Sequence, residues 1–262
     1  MLLAVDVGNS QTVIGVFNGD ELSENWRIST DARRTADEFA LVFGGLMAFA
    51  NLSFSRNVHG LVVSSVVPVV TKRLREMTDR YFHFGAVVVE PGTRTGIPIK
   101  MDNPREVGAD RLVNALAAYE QYGGPAIVVD FGTATSFDVV SARGEFVGGA
   151  IAPGVQSSMD ALSARGAQLP TVDLAAPRSA IGRNTVEAMQ SGAVFGFAGQ
   201  VDRIVTELSA ALPDQTSAPV VVATGGLATA VVRECRTIDH HDPWLTLKGL
   251  RAVWERNTTD QP

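Results

Sequence analysis

The chain states one pattern twice. Leu2-Leu3-Ala4-Val5-Asp6-Val7-Gly8-Asn9-Ser10-Gln11-Thr12 returns as Ile127-Val128-Val129-Asp130-Phe131-Gly132-Thr133-Ala134-Thr135-Ser136, which sets Asp130 124 residues after Asp6. Each copy is an apolar run reaching an aspartate, a turn of small and hydroxyl residues, and a second run. That second run closes in another turn, Asn18-Gly19-Asp20 in the first copy and Ala142-Arg143-Gly144-Glu145 in the second. Runs and turns of this kind read as β-hairpins. Their recurrence in one register points to two related halves, each opening on the same supersecondary unit.

The turn chemistry suits phosphate. Glycine lets the backbone come close to an oxyanion, successive N–H groups form an anion-binding nest, and Ser or Thr hydroxyls add donors without bulk. An aspartate beside bare phosphate would repel it, so Asp6 and Asp130 are expected to hold a cation or its water shell there. Two such turns would clamp a nucleotide tail.

A length of 262 residues admits two domains of ordinary size. With 45% hydrophobic and 19% charged residues, the composition is that of a soluble globular protein. A net charge of −6 leaves no overall basic footprint for nucleic acid or anionic membrane, and favours a small-molecule partner. Cys235 is the only cysteine, which rules out an intrachain disulfide and a thiolate metal cluster and fits a reducing cytoplasm. No basic leader precedes the first apolar run, so a signal peptide is not expected. The longest apolar stretch, 61 to 70, holds Ser64, Ser65 and Pro68 and is too short to span a bilayer.

Periodicity predicts the order β-β-β-α-β-α-β for the first half. A third strand runs over 21–28, and a helix over 35–52 carries Phe39, Val42, Phe43, Leu46, Met47 and Phe49 on its core face. A strand at 59–67, a helix from Pro68 to Tyr81 and a strand at 86–89 follow. The second half begins alike, with strands near 126–130, 134–141 and 145–151 and a helix from Val155. An irregular segment spans 168–183, and a long helix spans 184–212. A strand at 219–223, a Gly-Gly turn and a helix at 228–234 complete it. The helix over 112–122 breaks at Tyr122-Gly123-Gly124-Pro125, which gives expected domains of 1–117 and 118–262.

Between the halves stand Glu106, Asp110 and Arg111. On one helix Glu106 and Asp110 would share a face, with Arg111 about a hundred degrees away. A carboxylate near a transferable phosphoryl group can take an alcohol's proton, and an arginine can fork onto a substrate carboxylate; a capped, solvated helix start would need the same residue types. The strand-to-helix turn with Gly225 and Gly226 could admit adenine or ribose, or simply serve the turn. His240 and His241 beside Asp239 and Asp242 read as a surface turn, since adjacent side chains diverge and no second His cluster exists. Gly192, Gly196 and Gly199, with Val194, Phe195 and Phe197, mark a close helix contact, in the core or between subunits.

The paired D-x-G turns resemble the acetate and sugar kinase, Hsp70 and actin superfamily. Five strings, starting at Asp6, Asn103, Asp130, Gly148 and Asn184, make the chain similar to type III pantothenate kinases from Leu2 to about Arg256. Ser10, Gln11 and Met101 depart from the usual Thr, frequent Asn and common Tyr of that family. The resemblance implies an α/β fold of two duplicated ribonuclease-H-like domains with mixed five-stranded sheets, an actin-like ATPase fold. It implies phosphorylation of pantothenate by ATP, the first step towards coenzyme A, in a cytoplasmic homodimer that binds neither nucleic acid nor membrane. Asp6, Val7, Gly8, Asn9, Ser10, Gln11, Thr12 and Val13 would meet the ATP phosphates with Asp6 near Mg2+, and Thr133 would also meet ATP. Gly108, Ala109, Asp110 and Arg111 would bind pantothenate, Asp110 as general base and Arg111 on its carboxylate. Asp130 would ligate potassium or ammonium, and Thr185 would complete the pantothenate site from the neighbouring subunit. Another small-molecule kinase, a polyphosphate phosphatase or a catalytically weak nucleotide-binding regulator of the same architecture is the alternative.

Overall fold

The computed structural model describes residues 1–82, 84–166, 168–212 and 217–258, which divide into two compact units. The first comprises 1–96, 103–117 and the segment from Thr246; the second comprises 97–102 and 118–245. The C-terminal segment thus groups with the first unit, whereas the sequence expectation put it with the second. Packing gives the reason. Helix α8 (Leu245–Thr258) lays Leu247 where a Cβ on Gly15 would sit and Trp254 where a Cβ on Gly60 would sit, so both glycines exist to admit it. The short segment 97–102 joins the second unit through a bridge between Ile99 and Phe146.

In the first unit, β1 (Leu2–Val7), β2 (Gln11–Asn18) and β3 (Glu21–Ser29) form an antiparallel meander. β4 (Gly60–Ser65) and β5 (Ala86–Val88) add in parallel, in the order β3-β2-β1-β4-β5. One face of this sheet packs Leu3, Val5, Val7, Leu61 and Val63 against α1 (Ala36–Phe49) and α3 (Pro68–Tyr81). A capping box between Thr35 and Glu38 starts α1, and Pro68 starts α3, where its missing N–H costs nothing. A short helix, α2 (Phe54–Asn57), lies between them in sequence. Phe39, Phe43 and Met47 are buried on α1, but Phe49, expected with them, is 86% exposed. At 100° per residue it lies about 200° round from Met47, on the solvent side.

The second unit repeats the plan. β6 (Ala126–Phe131), β7 (Ala134–Val140) and β8 (Phe146–Pro153) form the meander, and β9 (Val220–Thr224) and β10 (His240–His241) add in parallel in the matching order. β1 and β6 even share one burial pattern. The duplication expected from the repeat is therefore present, as two mixed five-stranded sheets of matching order. Helices α5 (Val155–Arg165), α6 (Thr185–Ala211) and α7 (Ala228–Val232) follow, with Ile127, Val129 and Phe131 in the core they share. His240 and His241 form an exposed edge strand instead of a turn, and His240 stacks on Tyr122. Burial pushes the Cys235 thiol up to about 12, which makes it a poor nucleophile.

Among the described residues, no helix is long and apolar enough to cross a membrane.

Candidate active site

Strand pairing refines the repeat. Asp6 faces Val13 across the first hairpin, while Asp130 faces Ser136 across the second, so the second turn is one residue shorter. Before the turns Val7 matches Phe131; after them Thr12 matches Thr135, and both threonines are buried. The Gly8 N–H donates to the Gln11 carbonyl at 3.0 Å, and the Gly132 N–H donates to the Ala134 carbonyl at 3.0 Å. Asn9, Ser10 and Gln11 in one turn, and Thr133 in the other, are exposed and available to a ligand, whereas Val7 is buried and can offer only its backbone. Val13 is half-buried.

Each turn is held differently. Thr30, just past β3, donates its hydroxyl to the Gly8 carbonyl at 2.8 Å, lies 2.9 Å from the Thr12 hydroxyl, and donates its N–H to the Ser10 carbonyl at 3.0 Å. Strand register puts Gly154 in the place of Thr30 in the second unit. There a Cβ would collide with the Gly132 and Thr133 carbonyls, so the glycine lets β8 close directly on the turn. Ser157 of α5 adds a bond to the Thr133 carbonyl at 2.8 Å. Sequence reasoning missed Thr30 and Ser157; a hydroxyl residue ending the third strand and one opening the following helix are the faint signals they leave.

Asp6 and Asp130 lie at the ends of the central strands, each on the sheet face opposite the large apolar cluster of its unit. The parallel neighbour sets Ser64 beside Asp6 and Thr224 beside Asp130, and both hydroxyl residues are buried. A Cβ on Gly225 would lie 2.5 Å from the Asp130 carboxylate and 2.6 Å from the Phe131 backbone N and O. With φ +96°, Gly225 is required by backbone conformation as well as space. Gly226 is exposed.

Asp110 and Arg111 are half-buried in the first turn of α4 (Ala109–Tyr122), behind Gly108, whose carbonyl accepts the Leu112 N–H. The carboxylate folds back over the helix start. Its Oδ1 accepts the Arg111 N–H at 2.9 Å and passes 2.5 Å from where a Gly108 Cβ would be. Glu106 does not share a helix face with Asp110, contrary to the periodicity. It belongs to a separate 3-10 turn, Pro104–Glu106, and accepts a 2.6 Å bond from Asn103. Val107, extended at φ −75°, ψ 121°, separates the two. Within the first unit α4 packs on α8, with Asn114 accepting from the Thr246 hydroxyl at 2.8 Å. Because α8 covers the sheet face that carries Asp6, the Asp110–Arg111 turn and Asp6 belong to one side of that sheet.

Thr185 opens α6 and is exposed, next to Asn184, whose side chain caps the helix through the Glu187 N–H at 2.9 Å. Gly192, Gly196 and Gly199 face open space, and Phe195 is exposed, while Val194 is buried and Phe197 packs partly on the core. A cleft of about 280 Å3 in the first unit, lined by Met1, Phe17, Arg251 and Trp254, lies at the starts of β1 and β4, the opposite end from Asp6, and contains none of these residues.

A profile of type III pantothenate kinases matches residues 2–207. The chain belongs to the type III pantothenate kinase family. Proteins of that designation from Streptomyces avermitilis and Thermobifida fusca are 59% and 58% identical to it over 261 residues, each covering 98% of this chain and 98% and 100% of theirs. Among solved structures, the activator of 2-hydroxyisocaproyl-CoA dehydratase from Clostridium difficile, with bound ADPNP, aligns at TM-score 0.52 and 12% identity over 98% of this chain and 96% of its own. The ethanolamine utilization protein EutJ from Carboxydothermus hydrogenoformans aligns at 0.57 and 14% over 96% and 88%. These likenesses concern the fold, which is the actin-like ATPase fold expected from the paired turns.

Proposed function

We propose that this chain transfers the γ-phosphoryl group of ATP to the primary hydroxyl of pantothenate, the entry step of coenzyme A synthesis. The observation that carries the reading is the Asp110–Arg111 turn of a type III pantothenate kinase chain, set on the side of the first sheet that also bears Asp6 and its glycine-hydroxyl turn. The amides and hydroxyls of residues 6–13 hold ATP phosphates, and Thr133, Gly225 and Gly226 are further nucleotide contacts in this reading. Arg111 takes the pantothenate carboxylate in a fork, and Asp110 accepts the hydroxyl proton as the new P–O bond forms.

Asp6 and the hydroxyls near it are hard oxygen donors. Such donors suit Mg2+, which binds through one or two carboxylates together with substrate phosphates. When bound, it neutralises charge on the transferring group. Asp130 holds a monovalent cation, potassium or ammonium, in the same reading. The measurement for both statements is pantothenate-dependent ADP release with and without potassium. Turnover is expected to require the cation in the unmodified protein, and Asp130→Ala is expected to lose that response. Full turnover in sodium alone would contradict the Asp130 assignment, and no pantothenate-dependent ADP release under any salt would contradict the function.

The active unit is a homodimer formed along α6. Gly192, Gly196 and Gly199 form a small-residue stripe that the unit's own core leaves open, and Thr185 stands at its head. A second copy on that stripe would take Thr185 to the neighbour's pantothenate. Mixing inactive Asp110→Asn with inactive Thr185→Arg protein is expected to restore partial activity after subunit exchange, because one site of the heterodimer then has both residues intact. Heterodimers without activity would show that Thr185 does not act across the interface.

A further inference from the structure

The acid of the first turn, Asp6, has Ser64 as its neighbour on β4. Ser64 is 0% exposed, and its hydroxyl is buried without a hydrogen-bond partner. A buried donor left unmade is costly, so a partner in the ligand-bound state is expected. The register of β4 on β1 makes Asp6 its direct neighbour, and adjacent residues of parallel strands point to the same face. Ser65 cannot substitute, since its hydroxyl is engaged with Val67, donating at 3.2 Å to the carbonyl and accepting at 3.1 Å from the N–H. The duplicated half repeats the arrangement independently, with buried Thr224 beside Asp130 at the matching position. A hydroxyl beside the turn's acid is thus built twice into the fold.

We infer that Ser64 is a positioning residue, whose hydroxyl donates to the Asp6 carboxylate when a divalent cation and nucleotide are bound. It fixes the carboxylate so that its other oxygen is turned to the cation. The inference rests on the nucleotide-site reading of Asp6. It gives β4, as well as the turn, a part in holding the cation.

Binding of Mn2+, as a stand-in for Mg2+, in the presence of ADP can be followed by the electron paramagnetic resonance of the free ion, alongside the melting temperature of the ligand-free protein. Ser64→Ala is expected to weaken Mn2+ binding roughly ten- to a hundredfold, the range for losing a hydrogen bond to a charged group. It should leave the ligand-free melting temperature unchanged, because no bond is lost there. Ser64→Thr, the residue present in the second half, is expected to restore binding. Unaltered Mn2+ affinity in Ser64→Ala would overturn the inference. So would a ligand-free melting temperature lowered by more than about 5 °C, beyond what a loss of roughly 1 kcal/mol produces in a chain of this size. If the unmodified protein shows no ADP-dependent Mn2+ binding, the kinase reading itself fails and takes the role of Ser64 with it.

Discussion

Replacing Asp110 with Asn is expected to lower turnover at least about a hundredfold, within the roughly 10² to 10⁴ that a positioned general base supplies. Folding should be nearly untouched. The amide oxygen of Asn can accept the Arg111 N–H as the carboxylate does, and Gly108 leaves the same space above it. What changes is a negative charge at a helix N-terminus, worth typically about 0.3–1 kcal/mol. ATP affinity is expected to stay within about twofold, because Asp110 is assigned to the acceptor and not to the phosphates. Steady-state turnover, calorimetric ATP binding and thermal melting separate the three statements. Turnover within tenfold of the unmodified protein would remove Asp110 from the chemistry.

Gly225→Ala should be damaging for a different reason. The new methyl would press on the Asp130 carboxylate and the Phe131 backbone, at a residue whose φ of +96° disfavours any side chain. Overpacking costs typically about 1–3 kcal/mol and a left-handed backbone adds roughly 1–2. For a chain of this size the sum lowers the melting temperature by several degrees, on the order of 5–15 °C. Nucleotide affinity should fall as well, since the displaced groups belong to the second turn. Gly226→Ala, at the exposed neighbour, provides the comparison and should melt close to the unmodified protein. Equal melting of the two variants would show that Gly225 is not needed to seat Asp130.

The repeat made the two sheets legible because hairpins are written in local alternation and turn residues, and both survive in the apolar runs around Asp6 and Asp130. Local patterns also place α1 and α3 well, since Thr35 and Pro68 mark where those helices begin. Legibility stopped where the determinant is another part of the chain. Nothing near Leu247 or Trp254 says that they fill the space of Gly15 and Gly60, so the attachment of α8 to the first unit was not readable. Periodicity carried Glu106 into the helix of Asp110, because a 3-10 turn and one extended residue imitate helical spacing over a few positions. Phe49 is apolar but lies off the buried phase of α1 set by Phe39, Phe43 and Met47. At the site itself, Asp6, Asp110 and Asp130 were visible as acids among glycines. Thr30 and Ser157, which hold the two turns, and Ser64 beside Asp6 depend on strand register and on residues distant in sequence, and left only single hydroxyl residues as a trace.

The product of the reaction identifies it. The unmodified protein, incubated with ATP, Mg2+, potassium and pantothenate, should yield ADP and a pantothenate carrying one phosphoryl group in equal amounts, seen by mass spectrometry and by a phosphorus resonance of a monoester. ATP hydrolysed to phosphate with pantothenate recovered unchanged, or no ATP consumed, would contradict the kinase reading.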